Sequence, residues 1–355
     1  MSFARRVLKR ITIPVGSLLL LFIGFNVFWD TAPPQVTCAS CHEIESSSSS
    51  WAHSGHRALS CRDCHGTAFT NGIHSVSEKI QMVVRHFNGS DLREIKMNET
   101  QVVEMIDNCR RCHAAEYSGW TSSGHSATYA AIFLNENHNS TEQLNPDCLR
   151  CHGMYYDGTI QSLVTPLSVK GPWRLKDVVE AERPAIPCLS CHQMHRTGTP
   201  SQPPDYSNPQ RIFYETKVDS LDVLFYDRYE KIHLDLNELP PVQLKAGGRT
   251  VKVSGDPVQR LCTQCHSPNS FHVAGTSDDR TLRGVHEGLP CEACHDVHSN
   301  EARQSCVHCH PAISNCGLDV KTMNTTYADR GSRHNIHFVA CKDCHAKGIP
   351  KKKVS

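Results

Sequence analysis

Between Pro290 and Pro311 the chain reads PCEACHDVHSNEARQSCVHCHP, with four cysteines and four histidines in 22 residues. The same chemistry recurs throughout. Of the 19 cysteines, 18 fall into nine C-x-x-C pairs: Cys38 with Cys41, Cys61 with Cys64, Cys109 with Cys112, Cys148 with Cys151, Cys188 with Cys191, Cys262 with Cys265, Cys291 with Cys294, Cys306 with Cys309 and Cys341 with Cys344. A histidine follows each pair at once: His42, His65, His113, His152, His192, His266, His295, His310 and His345. Random placement of the histidines would produce nine such coincidences with a probability on the order of 10⁻¹¹, so the spacing is selected.

Three chemistries compete for cysteine this dense. A structural zinc site takes two ligand pairs across a loop and fixes no histidine directly after the second thiolate. Redox C-x-x-C pairs need no histidine there either. Disulfides fit poorly, because an odd count leaves one thiol over and adjacent pairs staple nothing distant. C-x-x-C-H is the attachment motif of c-type haem: two thioethers fix the porphyrin edge, and the next imidazole becomes the proximal iron ligand. Nine covalently attached haems c are therefore expected.

Fourteen histidines remain once the nine proximal ligands are assigned, enough to fill a second axial position on every iron. The distal candidates are His56, His125, His286 and His298, then His195, His337, His272, His86 and His74. The first four sit in internal repeats. WAHSGH (Trp51–His56) matches WTSSGH (Trp120–His125), HRALSC (His56–Cys61) matches HEGLPC (His286–Cys291), and CHQMH (Cys191–His195) matches CHDVH (Cys294–His298). His53, His138, His233 and His334 are expected not to ligate, and His308, inside CVHCH, is evenly balanced. Cys316, the unpaired thiol, is expected to be buried and inert.

Composition fits a chain held together by prosthetic groups. Only 39% of residues are hydrophobic and 7% aromatic, thin for a conventional core. At one haem per roughly 40 residues, porphyrin surface replaces much of that core. The formal charge is +1, but two propionates on each of nine haems would add on the order of −18. Such an acidic holoprotein is not expected to bind nucleic acid.

The N-terminus carries Arg5, Arg6, Lys9 and Arg10 before an uncharged run from Ile11 to Trp29. That run is long enough to span a bilayer, and the positive-inside rule leaves every haem motif outside the cytoplasm. A cleaved signal peptide is the alternative, although no small-x-small site ends the apolar stretch. The expected fold is a multihaem cytochrome c: short helices and irregular loops wrapped around nine haems, one N-terminal transmembrane helix and a small β insertion. Four divisions follow: an anchor over 1–30, a five-haem section over 31–204, a β-rich insertion over 205–260 and a four-haem section over 261–355. The insertion is expected as strands within Arg211–Ser254, either a surface excursion or a docking surface. Helices are expected over Val76–Phe87 and Thr100–Tyr117.

A single N-terminal span followed by CASCHEI, WAHSGHRALSCRDCH and SEKIQMVVRH makes the first ~110 residues resemble the NapC/NirT/NrfH family of membrane-anchored quinol dehydrogenases. Ile44 stands where that family commonly has methionine. The resemblance implies a quinol-facing haem at Cys38 and Cys41, a lysine near the quinol site at Lys79, and a periplasmic redox partner.

The expected function is electron transfer from the quinone pool or an inner-membrane partner to periplasmic or extracellular acceptors, by a single-pass inner-membrane protein with its haem domain in the periplasm. Two alternatives stand beside it. One is a reductase or oxidase of small nitrogen or sulfur compounds at one open haem. The other is a haem subunit of a larger respiratory complex, homo-oligomer or cytochrome polymer.

Overall fold

The computed structural model describes residues 2–37, 39, 44–66, 80, 83–84, 86–88, 97–136, 144–165, 173–196, 223–241, 244–246, 249–266 and 288–299. They belong to two compact units, Met1–Ile95 with Met194–Thr197, and Lys96–Gln193 with Gly198–Ser355.

In the first unit, helix α1 runs from Ser2 to Thr31. Its stretch Thr12–Trp29 is long and apolar enough to cross a membrane by length and composition. Large apolar side chains are exposed along it, Leu18 at 73% and Leu21 at 72% among them. The polar groups within it turn back on the helix: Asn26 Nδ2 donates to the Phe22 carbonyl at 2.8 Å and Thr31 Oγ1 to Val27 at 2.7 Å. Such back-bonding gives a polar side chain a partner within its own helix. Short helices α2 (Pro34–Thr37), α3 (Glu45–Ala52) and α4 (Cys61–His65) follow. Ser60 and Asp63 form a capping box that starts α4. Gly66, at φ +66°, ends it in a conformation that suits glycine. The described residues of Val76–Phe87, namely Ile80, Val83, Val84, His86 and Phe87, are helical.

The second unit carries the packed core. Helix α5 (Glu99–Arg110) starts on a capping box between Asn98 and Gln101, and α6 (Ala114–Ser122) follows it. The single helix expected over Thr100–Tyr117 is thus broken, because His113 leaves helical geometry at φ −103°, ψ 52°. Tyr129 and Phe133 of α7 (Tyr129–Phe133), Leu149 of α8 (Cys148–His152), and Ile160 and Leu163 of α9 (Ile160–Leu163) pack with Val164, Trp173 and Ala185. Leu149 lies inside C-L-R-C-H, so this apolar cluster anchors one attachment motif directly.

Three antiparallel two-stranded ribbons complete the described unit: β1 (Val164–Thr165) with β2 (Arg174–Leu175), β3 (Phe225–Asp227) with β4 (Ile232–Leu234), and β5 (Leu244–Ala246) with β6 (Arg249–Val251). The last two ribbons lie within Arg211–Ser254. In β3–β4, Phe225 pairs Leu234, Tyr226 pairs His233 and Asp227 pairs Ile232.

Candidate haem-binding sites

Six of the nine C-x-x-C-H motifs lie among the described residues, and each folds as one helical turn. Cys61–His65 and Cys148–His152 are α-helical, while Cys188–Ser190 and Cys291–Ala293 are 3₁₀ turns. Cys109 lies in the last turn of α5, and Cys262 closes α10 (Val258–Cys262). The second cysteine and the histidine both bond back to the first cysteine. The amides of Cys112 and His113 donate to the Cys109 carbonyl at 3.2 and 2.9 Å, and those of Cys191 and His192 to Cys188 at 3.2 and 3.1 Å. His266 donates to Cys262, and His295 to Cys291, at 2.9 Å each. Residues three and four apart on a helical turn share a face. Both thiols and the imidazole therefore leave the backbone on one side, as two thioethers and an axial nitrogen of one porphyrin require.

None of the described cysteines, Cys61 through Cys294, forms a disulfide. Their exposure differs: Cys112 is exposed, whereas Cys61, Cys64, Cys109 and the others are half-buried. Burial raises the Cys148 thiol above its ordinary range and pushes Cys191 up to about 11. A zinc ligand or redox nucleophile must be a thiolate, which burial disfavours at these two positions, whereas hydrogen bonds with neighbouring thiols lower Cys151, Cys188 and Cys291. A thioether is neutral and carries no such cost.

The imidazoles meet in pairs across motifs. In the first unit, His65 and His195 have ring centroids 5.8 Å apart and planes 16° from parallel. In the second, His192 and His298 lie 6.1 Å apart at 12°, and His125 and His266 lie 6.1 Å apart at 60°. Rings in direct face contact sit much closer, as Tyr155 and Tyr226 do at 3.9 Å. Two metal–imidazole bonds of about 2 Å, each extended by a ring radius of about 1.1 Å, place centroids about 6.2 Å apart across one metal ion. The three pairs match that span. Among the described residues no three His, Cys, Asp or Glu side chains gather into a metal-holding group. A porphyrin supplies four nitrogens itself, so two protein ligands complete its iron, whereas zinc takes four from the protein.

Burial favours the neutral form that ligates metals at His195, His125 and His295. His195 falls to about 4, through burial and then the neighbouring His65. His125 is lowered chiefly by burial, and so is His295, with His266 adding to the effect on the latter.

Thiols also meet between motifs. Cys109 is hydrogen-bonded with Cys188, Cys151 with Cys265, and Cys262 with Cys291. Arg150 Nη2 donates to Gln264 Oε1 at 2.9 Å, tying the motifs at Cys148 and Cys262 from their intervening residues. Cysteines of neighbouring motifs thus lie side by side.

The β3–β4 ribbon has a role that its sequence did not advertise. The Leu224 amide donates to the Cys191 carbonyl at 2.8 Å, and His192 bridges Val223. His233 Nε2 lies 2.8 Å from the Leu189 carbonyl, which also accepts from Tyr155 Oη at 3.0 Å. Arg228, in the ribbon's turn, donates to the carbonyls of Gly153, Tyr156 and Gly158 just after the Cys148 motif. The ribbon therefore clamps two attachment motifs. The only sequence signal for this was a run of β-branched and aromatic residues, which carries no address.

Other predicted positions separate. His53 Nδ1 lies 2.8 Å from the Ser49 carbonyl on the surface, and His86 packs edge-on against Phe87 at 5.4 Å. His56 holds the same local scaffold as His125. Ser54 Oγ donates to the Trp51 carbonyl at 2.8 Å and accepts from the His56 amide at 3.1 Å. Ser123 does the same for Trp120 and His125, at 2.8 and 3.2 Å. Three attachment motifs lie outside the described residues: Cys38 and Cys41 with His42, Cys306 and Cys309 with His310, and Cys341 and Cys344 with His345. So do His74, Lys79, His138, His272, His286, His308, Cys316, His334 and His337.

A family model described as outer membrane cytochrome MtrC/MtrF-like, domains II/IV, matches residues 34–202, just under half of the chain. That stretch is similar to a multihaem c-type cytochrome domain. The match supports haem binding and electron transport there, and it includes the described motifs at Cys61, Cys109, Cys148 and Cys188. The match lies with this family; the NapC/NirT/NrfH resemblance rests on the residues quoted for it. No curated protein and no solved structure matches the chain.

One carboxyl of the second unit titrates far from its ordinary range. Glu292, inside C-E-A-C-H, is raised to about 7 by burial first, then by Asp256 and Asp296. The unfolded carboxyl releases its proton near 4.5, so between that value and about 7 the folded chain holds a proton the unfolded one has lost. Stability is therefore present at low pH and is lost as pH rises through this window. The partly exposed site discounts the effect to about 2 kcal/mol. Denaturation midpoints measured from pH 4.5 to 7.5 should fall accordingly, and Glu292→Gln should flatten the profile; an unchanged slope in the variant refutes the assignment.

Proposed function

We propose that the chain is a membrane-tethered conduit with nine covalent haem sites, passing electrons from a quinol or an inner-membrane donor to acceptors beyond the cytoplasmic membrane. The observation that carries the proposal is the three cross-motif imidazole pairs at 5.8 to 6.1 Å. Covalently bound haem supplies an iron that alternates between ferrous and ferric states. The cysteines of each motif would hold the group covalently by its edge, and the paired imidazoles would ligate its iron. A site held in this way would leave no coordination position for a substrate, which favours transfer over catalysis.

The match to MtrC/MtrF-like outer membrane cytochromes supports an outward direction of flow. The apolar α1, with four basic residues before its uncharged run, supports a tether in the cytoplasmic membrane with the haem sites on its far side. The NapC/NirT/NrfH resemblance supports quinol oxidation at the site of Cys38 and Cys41, with Lys79 beside it. A periplasmic redox protein would then receive the electrons, in a transient encounter or within a larger complex.

Mixing the detergent-solubilised holoprotein with menaquinol should reduce the haems within the mixing experiment, and removing Ser2–Thr31 should release the protein from membranes while abolishing that reduction. Full reduction of the truncated chain by menaquinol would remove the role of the anchor. No reduction of the intact chain would make the donor a protein instead. A ferric spectrum that shifts on adding nitrite or hydroxylamine would point to an open, catalytic site.

A further inference from the structure

Two of the described motifs extend to C-x-x-C-H-x-x-H, and the final histidine of each faces another motif. His195, following His192, faces His65, and His298, following His295, faces His192. The segment around His298 does more than supply this ring. His125, which faces His266, hydrogen-bonds to the carbonyl of Val297, the residue directly before His298. A hydrogen bond from one imidazole nitrogen to a backbone carbonyl fixes the ring and directs its other nitrogen at a metal.

The backbone here is held from two further sides. Asp296 Oδ1 accepts from the His298 amide at 2.8 Å and from the Ser299 amide at 2.9 Å, a local turn that sets the loop. On the other side lies Gly119 of α6. A Cβ at Gly119 would stand 3.0 Å from the His298 carbonyl oxygen, 3.3 Å from its carbon and 3.4 Å from the His298 Cβ. Glycine here permits a close backbone approach that any side chain would push back.

We infer that the Val297–His298 dipeptide is a junction shared by two haem sites. His298 supplies the second axial imidazole opposite His192, and the Val297 carbonyl orients His125 as the second axial imidazole opposite His266. The tail of the motif at Cys291 and Cys294 thereby completes the iron sites of two others, at Cys188 and Cys191 and at Cys262 and Cys265. Gly119 is a positioning residue for both. The inference rests on the haem-binding role proposed above.

The test uses the full-length holoprotein from a host equipped for cytochrome c maturation, read by intact mass for covalent haem and by electron paramagnetic resonance for spin state. His298→Gly should keep the wild-type haem mass and convert one ferric centre to high spin, and added imidazole should return it to low spin. In a background carrying Cys188→Ala and Cys191→Ala the same substitution should add no high-spin centre, because the iron it serves is gone. Gly119→Val should disturb two centres, one of which disappears in a background carrying Cys262→Ala and Cys265→Ala. A His298→Gly signal that persists without the site at Cys188 and Cys191, or a fully low-spin His298→Gly or Gly119→Val protein, overturns the junction. A wild-type chain at bare polypeptide mass instead fails the haem assignment itself, so the two failures are distinguishable.

Discussion

Replacing Cys188 and Cys191 by alanine should lower the mass by one haem and slow the passage of electrons between the remaining haems by orders of magnitude. This segment meets more neighbouring motifs than its length suggests. Cys188 is hydrogen-bonded with Cys109, and Cys191 lies within electrostatic range of both Cys262 and Cys265. His192 faces His298, the last residue of the extended motif at Cys291 and Cys294. Three other attachment motifs of the second unit therefore border this one. Tunnelling falls exponentially with edge separation, so deleting a central member costs far more than deleting one at an end. The fold should survive, because the ribbon grips this segment through the backbone carbonyls of Leu189 and Cys191, which alanine leaves in place. Stopped-flow reduction should become biphasic, with a fraction of haem left oxidised in the fast phase. A single wild-type phase in the double variant would show that electrons do not depend on this site.

Arg183→Ala should be the most destabilising single substitution away from the motifs. Glu99 is 5% exposed, and its carboxylate accepts from Tyr129 Oη at 2.5 Å and from Arg183 Nη1 at 3.0 Å. Arg183 also pairs with Glu180 at 3.0 Å and donates to Thr100 Oγ1 at 3.1 Å. Glu180 is already raised by burial and by Glu99, so removing the guanidinium leaves two carboxylates together without their counter-charge. Stranding a buried charge in this way costs roughly 3–5 kcal/mol. Tyr129→Phe, which removes one hydrogen bond and keeps the ion pair, should cost about 1–3 kcal/mol. Denaturant titrations of the holoproteins would measure both. The Arg183→Ala deficit should shrink as pH falls and the stranded carboxylates protonate. A deficit below about 1 kcal/mol, or one that grows on acidification, would contradict this account.

The shared face of each C-x-x-C-H motif could be read from the sequence because its geometry is local. Two cysteines three residues apart and a histidine one further on meet on one face of any helical turn, whichever helix, cap or 3₁₀ segment provides that turn. Cys61 and Cys64 do so on a short capped α-helix, and Cys109 and Cys112 across the end of a longer one. The local scaffold of His56 and His125 was legible for the same reason. WAHSGH and WTSSGH build the same serine-bonded turn before His56 and His125. Their tryptophans then part company: Trp51 Nε1 donates to the nearby His56 carbonyl at 3.0 Å, and Trp120 Nε1 to the distant Ile186 carbonyl at 3.1 Å. The repeat set the turn, and the surrounding chain set what the turn meets.

The sequence by itself thus determined the spacing of the attachment motifs, the histidine that follows each, the apolar N-terminal helix and the presence of enough spare imidazoles. Only the tertiary structure decided that His195 faces His65, His298 faces His192 and His125 faces His266, and that the β3–β4 ribbon clamps the motifs rather than standing apart from them. Covalent attachment depends on spacing along four or five consecutive residues, which backbone geometry fixes at once. The imidazole pairs join residues more than a hundred positions apart, and which of many identical imidazoles arrives opposite a given ring depends on how the intervening segments pack.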